Sequence, residues 1–400
     1  MMTMPKININ EIKNWTINNF FGSKLNLLLT IFSTLFIVYI ISSFISFLSS
    51  AEWEVVALNK RLLLLGRLPA EDTWRAWPIL WLFSSILCSS IGAWGNPKKS
   101  ELLFILLAFL MPAAIFFSMS YIVHISITII IGTGSYFSSR IIKKISAIKV
   151  VMYLDTLKKI LISLWILLIP LVFTILLIGG GPKPNLWGGF LLNILLASVA
   201  VVAGFPLGIL MAIGRSTKLP VIKTACTLYI ETIRGAPLVA WLLLAWFVLP
   251  KFLPNFYGLS DISVVIRAMI VLSFFASAYI AEVIRGGLQS IPKGQLEAAD
   301  ALNLSYYNKM RIIILPQAIK VVIPAIVSTF IGIFKDTSLV FILALTDLLQ
   351  VGRIIPEQDP KFFGKQIEAL LVVASLFWIV SVALSNLSSK IEKNLGIGTR

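Results

Sequence analysis

Charge is scarce in this sequence. Asp, Glu, Lys and Arg make up 13% of its 400 residues, where a soluble globular chain carries about a quarter. That shortage excludes an ordinary water-covered domain. Cysteine is nearly absent: Cys88 and Cys226 each lie in an apolar stretch, which excludes a disulfide framework. The single histidine, His124, sits in an apolar run with no second His or Cys nearby. A buried, satisfied ring is therefore expected there, and no metal site is implied. A phosphate-cradling loop is also missing. Lys99-Ser100 lacks the glycines of a Walker A pattern, and no other Lys-Ser/Thr pair has them. The chain is expected not to hydrolyse ATP, to be no enzyme, and to bind no cofactor or metal.

What the sequence has in abundance is apolar length. It is 58% hydrophobic with a mean hydropathy of +0.93, which makes it a polytopic, all-α membrane protein. The net charge of +16 would suggest nucleic acid in a soluble chain. Here it is read as Lys and Arg holding loops on the cytoplasmic side, with no nucleic-acid partner.

Taken in order, a polar start (1–24) precedes an apolar run at 25–48 that is too long for a signal core, so an uncleaved anchor is expected. Residues 49–75 are mixed-charge and read either as an amphipathic helix on the membrane surface or as a solvated loop helix. Apolar runs follow at 76–94, 101–120 and 121–139. Residues 140–159 are basic and read as a cytoplasmic linker along anionic headgroups. Further spans are expected at 159–179 and 187–215. Residues 219–234 are helical and mixed, with a break at Gly235-Ala236-Pro237 before a span that reaches Pro250. The remaining spans are expected at 262–281, 317–334 and 367–388. The apolar run 339–345 is too short to cross and reads as a re-entrant segment facing a cavity. The sum is about ten spans with both termini inside, an orientation that places most Lys and Arg on the cytoplasmic side.

The stretch from Ala281 to Pro316 interrupts this pattern. It carries Glu282, Arg285, Lys293, Glu297, Asp300, Lys309 and Arg311 between two spans. It reads as two short helices: Ser290 caps the first with Pro292 in its first turn, Asn303 ends it in the left-handed region, and Ser305 caps the second. Such a rigid elbow suits the transmission of force between a membrane domain and a cytoplasmic partner.

Glu297-Ala298-Ala299, with a turn residue four positions on and then Ile314-Leu315-Pro316, resembles the EAA loop of ABC importer permeases. Arg285-Gly286-Gly287, Pro292-Lys293-Gly294-Gln295, Pro316-Gln317-Ala318 and Lys335-Asp336-Thr337-Ser338-Leu339 resemble the polar amino acid branch of that family. Asn303 stands where the family usually has Gly. The resemblance covers about residues 185–390. The extra N-terminal spans are similar to those of long permeases of general L-amino acid systems. The resemblance implies a type I importer core in residues 159–400, preceded by an extension of about four spans and a basic linker (1–158). It implies a permease subunit in the inner membrane that moves amino acids inward by alternating access. The implied partners are separate ATPase subunits that use the ATP, a second permease, identical or homologous, and an extracytoplasmic substrate-binding protein.

Within that frame the candidate ATPase-coupling residues are Gly294, Gln295, Leu296, Glu297, Ala298, Ala299, Leu302, Asn303, Leu315 and Pro316, with Leu296, Ala299 and Leu302 as apolar contacts. Charged groups near the membrane are expensive in lipid and mark a pathway or a partner; here they are Glu231, Arg234, Arg267, Glu282, Lys335, Asp336 and Glu368. Lys335, Asp336, Thr337 and Ser338, with Glu231, form the candidate substrate pathway, because an amino acid zwitterion needs both an acceptor and a donor. Three other classes compete. An ion-coupled secondary transporter would favour inverted repeats with paired broken helices. An intramembrane serine protease would use Gly132-Thr133-Gly134-Ser135 with His124. A purely structural scaffold leaves the elbow without a purpose.

Overall fold

The computed structural model describes residues 9–95, 122–149, 152–252 and 262–394. Among these the chain is helical, with no β-strand and one isolated parallel bridge between Gly189 and Asp347. Two compact units emerge, Met1–Trp53 and Glu54–Arg400.

The first unit holds α1 (Ile9–Phe20) and α2 (Lys24–Ser50). Ser23 opens α2 by accepting the Asn26 amide at 3.0 Å. None of the 27 residues of α2 is buried, and at 1.5 Å per residue the helix spans about 40 Å, enough for a bilayer core.

The second unit begins with α3 (Glu54–Leu58), α4 (Lys60–Leu65) and a 3-10 turn, Ala70–Arg75. The apolar side of this segment faces protein: Val55, Val56, Leu63 and Leu68 are all buried. The expected membrane-surface or solvated helix is thus replaced by a packed one, because the four residues find apolar partners within the bundle. Then come α5 (Ala76–Trp94), α6 (Ile122–Lys149) and α7 (Tyr153–Leu177). Of the basic 140–159 stretch, residues 140–149 form the end of α6 and residues 153–159 the start of α7.

The core is built on α8 (Gly189–Ser216) and α12 (Val264–Gln289). Small residues let them touch: a Cβ on Gly204 would lie 2.8 Å from the Ala276 Cβ, and one on Gly208 would lie 2.8 Å from Ile280 Cγ2. Between them run α9 (Pro220–Gly235), α10 (Leu238–Leu243), a π-helical turn (Leu244–Val248) and α11 (Leu249–Phe252). The chain bends by 101° between Pro220–Gly235 and Leu238–Lys251, where Gly235 and Pro237 interrupt the helical hydrogen bonds. The elbow helices α13 (Lys293–Ala301) and α14 (Tyr306–Asn308) follow. A π-helical turn, Lys309–Ile314, leads into α15 (Leu315–Asp336). The apolar run expected to re-enter the membrane instead continues α15 as a 3-10 helix, Thr337–Leu343, ended by Ala344 at φ 56°. Its buried Val340 and Leu343 join the main core, so packing carries the helix onward. Last are α16 (Leu348–Ile354) and α17 (Gln366–Asn394).

Among the described residues eight helices are long and apolar enough to cross a membrane, and the bent pair makes a ninth. The expected span at 101–120 lies outside the described residues.

Candidate functional site at the helical elbow

The elbow is held by its own backbone. Asn303 adopts φ 51°, and two bonds close the end of α13: Leu304 N–H to Ala299 O at 3.2 Å and Asn303 N–H to Asp300 O at 2.9 Å. These are the paired bonds of a Schellman stop. Ser305 accepts the Asn308 amide at 3.4 Å and opens α14. Ser290 does not cap α13. Its hydroxyl donates back to Gly287 O at 2.7 Å, closing α12, and Pro292 occupies the cap position of α13 without a side-chain bond. A hydroxyl can serve a preceding carbonyl as well as a following amide, and here the preceding helix takes it.

Side chains then brace the turn. Lys309 pairs with Asp300, and Gln317 donates to Gln295 at 3.3 Å. Ile291, Ile314 and Ala318 form a small buried cluster. At its base a Cβ on Gly287 would lie 2.6 Å from Ala318 O, so α12 and α15 touch through their backbones.

The coupling candidates split into two faces. Gly294, Gln295, Leu296, Glu297, Ala298, Leu302 and Pro316 are exposed, with Leu302 70% accessible. Ala299 is fully buried and Leu315 half-buried. Ala299 therefore packs inside the elbow and is not available as a partner contact. Leu296 and Leu302 are.

Behind the elbow lies a charge cluster whose pairing the sequence did not reveal. Glu282 on α12 meets Arg215 of α8 at 3.2 Å, Arg234 of α9 at 3.6 Å, and its neighbour Arg285. Arg215 also reaches Glu231 at 2.7 Å. Glu231 thus belongs to the elbow end of the bundle. Lys335, Asp336, Thr337 and Ser338 sit at the other end of α15, whose 22 residues span about 33 Å. The structure does not bring the two parts of the candidate pathway together.

At that far end, Lys335 is exposed, Asp336 and Ser338 are half-buried, and Thr337 is fully buried. The Thr337 hydroxyl donates to Phe334 O at 2.6 Å and accepts from Asn193 Nδ2 at 3.0 Å. Asn193 Oδ1 accepts the Leu348 amide at 2.9 Å, and its Nδ2 lies 3.4 Å from Asp347 Oδ2. Asp347 caps α16 by accepting the Leu349 and Gln350 amides at 3.1 Å each. Asn193, Thr337 and Asp347 are all completely buried. Burial pushes the Asp347 carboxyl up to about 6, against hydrogen bonds that favour its charged form. A signal for this site existed: Asn193 is the one amide in the long apolar run of α8.

Other candidates have structural partners. Arg267 donates to the carbonyls of Ile262, Ala245 and Trp246 at 3.0–3.3 Å, supporting the π-helical turn. Glu368 is buried in the first turn of α17. His124 stacks on Trp77 and Trp81, and its Nδ1 has no hydrogen-bond partner among the described residues. Ser135 shares α6 with His124, about 16 Å further along the axis, and pairs with Ser85 at 3.0 Å. No protease dyad forms. Among the described residues no three His, Cys, Asp or Glu gather to hold a metal.

Comparison with known proteins identifies the family. The profile of the family described as binding-protein-dependent transport system inner membrane component matches residues 204–393. The glutamate/aspartate import permease protein GltK of Escherichia coli O157:H7 is 35% identical over 52% of this chain and 93% of its own length. The chain belongs to the amino-acid ABC transporter permease family. Two longer relatives of this permease match over less of themselves. The inner membrane amino-acid ABC transporter permease protein YhdY of E. coli K12 is 39% identical over 59% of this chain and 65% of its own length. The glutamate/glutamine/aspartate/asparagine transport system permease protein BztC of Rhodobacter capsulatus is 43% identical over 52% of this chain and 48% of its own. A crystal structure described as an amino acid ABC transporter with histidines is 31% identical over 52% of this chain and 92% of that one, with a TM-score of 0.46. The permease is an inner membrane protein with multiple apolar helices.

Proposed function

We propose that this permease is the transmembrane subunit of an ATP-driven importer that moves amino acids inward by alternating access, with ATP hydrolysed on a separate chain. The carrying observation is the elbow: a turn locked by a Schellman stop, a serine cap and an ion pair, presenting exposed Leu296, Glu297 and Leu302 between two spans. In this reading that face sits in a groove of the ATPase, Gly294 and Ala298 allow close approach, and Gln295 braces the turn through Gln317. Ala299, Asn303, Leu315 and Pro316 hold the elbow's shape. The elbow end then faces the cytoplasm and the Asn193–Asp347 end faces outward, toward a substrate-binding protein. A second permease, identical or homologous, completes the pathway, to which Asp336 and Ser338 contribute at the outer end. The names of the relatives GltK and BztC make acidic amino acids and their amides the first substrates to try.

A mild pull-down of the tagged permease from its native membrane should bring an ATPase with it. The reconstituted complex should take up amino acid with ATP and without an ion gradient. Uptake by the permease alone, driven by an ion gradient, would sink this reading in favour of a secondary transporter. Within the complex, Glu297→Lys is expected to leave membrane abundance unchanged and to lower uptake at least tenfold, because a reversed charge at a docking face costs several kcal/mol, roughly tenfold per 1.4. Normal uptake in that variant would remove Glu297 from the docking face.

A further inference from the structure

The N-terminal extension reaches the core through glycines. Gly66 adopts φ +62°, and a Cβ there would lie 2.3 Å from Gly188 Cα and 2.8 Å from Gly189 N. A Cβ on Gly188 would lie 2.6 Å from Thr346 O and 2.8 Å from Gly66 Cα, and one on Gly189, itself at φ +57°, would lie 2.5 Å from Leu63 O. Three backbones meet here with no room for a methyl group: the turn after α4, the start of α8, and the turn before α16. Such contact leaves no slack, since packed interiors transmit small displacements.

The contact leads directly to the buried polar network. Gly189 N–H donates to Thr346 O at 2.7 Å, and Gly189 bridges to Asp347. Asn193 lies one helical turn beyond Gly189 and joins Asp347 to Thr337. Thr337 follows Lys335 and Asp336 in the chain. The same segment is fastened on both flanks. Val55, Val56 and Leu63 are buried with Leu348, Val351 and Phe362. Arg75, held by Asp72 at 2.7 Å, donates to the carbonyls of Ile175 and Ile178 at 2.8 Å each, closing the end of α7.

We propose that residues 54–75 of the extension are a positioning element for the outer end of the pathway, with Gly66 fixing the Gly188–Gly189 turn and, through it, the placement of Asn193, Thr337 and Asp347. The segment touches no substrate. It sets the geometry of the groups beside the candidate pathway, so the part of the extension from Glu54 onward belongs to the transport machinery. This rests on the transport reading above.

The test is amino acid uptake by the reconstituted complex, normalised to permease abundance, for wild type, Gly66→Ala, Asn193→Ala and the double variant. Each single variant is expected to raise KM about tenfold with a smaller change in maximal rate. The double variant should stay near tenfold and not reach the hundredfold of independent sites, because residues acting through one network are non-additive. Leu63→Val, a milder change in the same segment, should raise KM by about twofold to fivefold even if Gly66→Ala fails to accumulate. An unchanged KM in Gly66→Ala or Leu63→Val, with only abundance reduced, would make the segment a structural brace and overturn the proposal. So would multiplicative effects in the double variant. Absence of ATP-driven uptake in the wild-type complex would instead overturn the transport reading, and this inference with it.

Discussion

The two ends of the bundle are fastened by different chemistry. At the elbow end, Glu282 is shared by Arg215, Arg234 and Arg285, and all four side chains keep 20–32% of their surface in contact with solvent. At the far end, Asn193, Thr337 and Asp347 are sealed from water and joined by directional hydrogen bonds. Ion pairs that retain water tolerate sliding. If one arginine withdraws, Glu282 keeps two others, and the freed guanidinium is rehydrated at little cost. A buried amide network does not slide: a displaced partner leaves a group unsatisfied, at about 1–3 kcal/mol each. The elbow end is therefore built to move against its neighbours, and the far end to hold one arrangement until it is broken as a unit. That asymmetry suits a device pushed from the elbow side.

The largest break in this comparison should come from Asp347→Ala. It removes the cap of α16 and strips Asn193 of a partner in a sealed site, for a combined loss of about 2–4 kcal/mol. Thermal unfolding of the purified permease should show it; a loss under about 0.5 kcal/mol would mean that the network tolerates displacement. Asp347→Asn should cost far less, and pH supplies a second check. The folded carboxyl titrates near 6, above its value of about 3.9 in an unfolded chain. The folded state thus binds the proton more tightly, and stability falls as pH rises from about 4 to about 6, then stays level. The ceiling on that loss is about 3 kcal/mol. Asn at 347 should abolish this component. An identical pH profile in the two proteins would show that Asp347 is not its source.

Next in size is Glu282→Gln, which leaves three arginines around a neutral amide. Partial exposure lowers the cost below that of a sealed pair, to about 1–3 kcal/mol. The deficit should shrink between 0.05 and 1 M NaCl, where screening weakens the pairs in the wild type. The Asp347→Ala deficit should be insensitive to salt. A reversal of the two salt responses would erase the distinction between the ends.

How much of this the sequence disclosed follows the same division. Features set by neighbours along the chain were legible: the left-handed stop at Asn303, the Ser305 cap, and the break at Gly235 and Pro237. Ser290 misled because both of its hydrogen-bonding options are local, and only the fold decides between a carbonyl three residues back and an amide ahead. The far-end network was hidden for a different reason. Its partners lie 144 and 154 residues apart, and nothing in the composition around Asn193 names Thr337 or Asp347. The packing of residues 54–75 was missed likewise, since mixed charge suits a surface helix whether its apolar side meets lipid or protein.

The smallest effect tests the elbow's rigidity itself. Asn303 carries the positive φ that ends α13, and an L-residue there pays a steric cost that glycine avoids. Asn is the best-suited of the other residues, because its short amide tolerates this region, so the expected gain from Asn303→Gly is only up to about 1 kcal/mol. Glycine also widens the unfolded ensemble, which pulls the net gain toward zero. Asn303→Val should lose more than glycine gains, as a β-branched side chain clashes in the same conformation. The useful readout is the pair of variants together. Gain with Gly and loss with Val would mean that the left-handed turn is essential to holding the elbow's shape. Equal stability in both would mean that the Lys309–Asp300 pair and the Ile291–Ile314–Ala318 cluster hold the elbow without it.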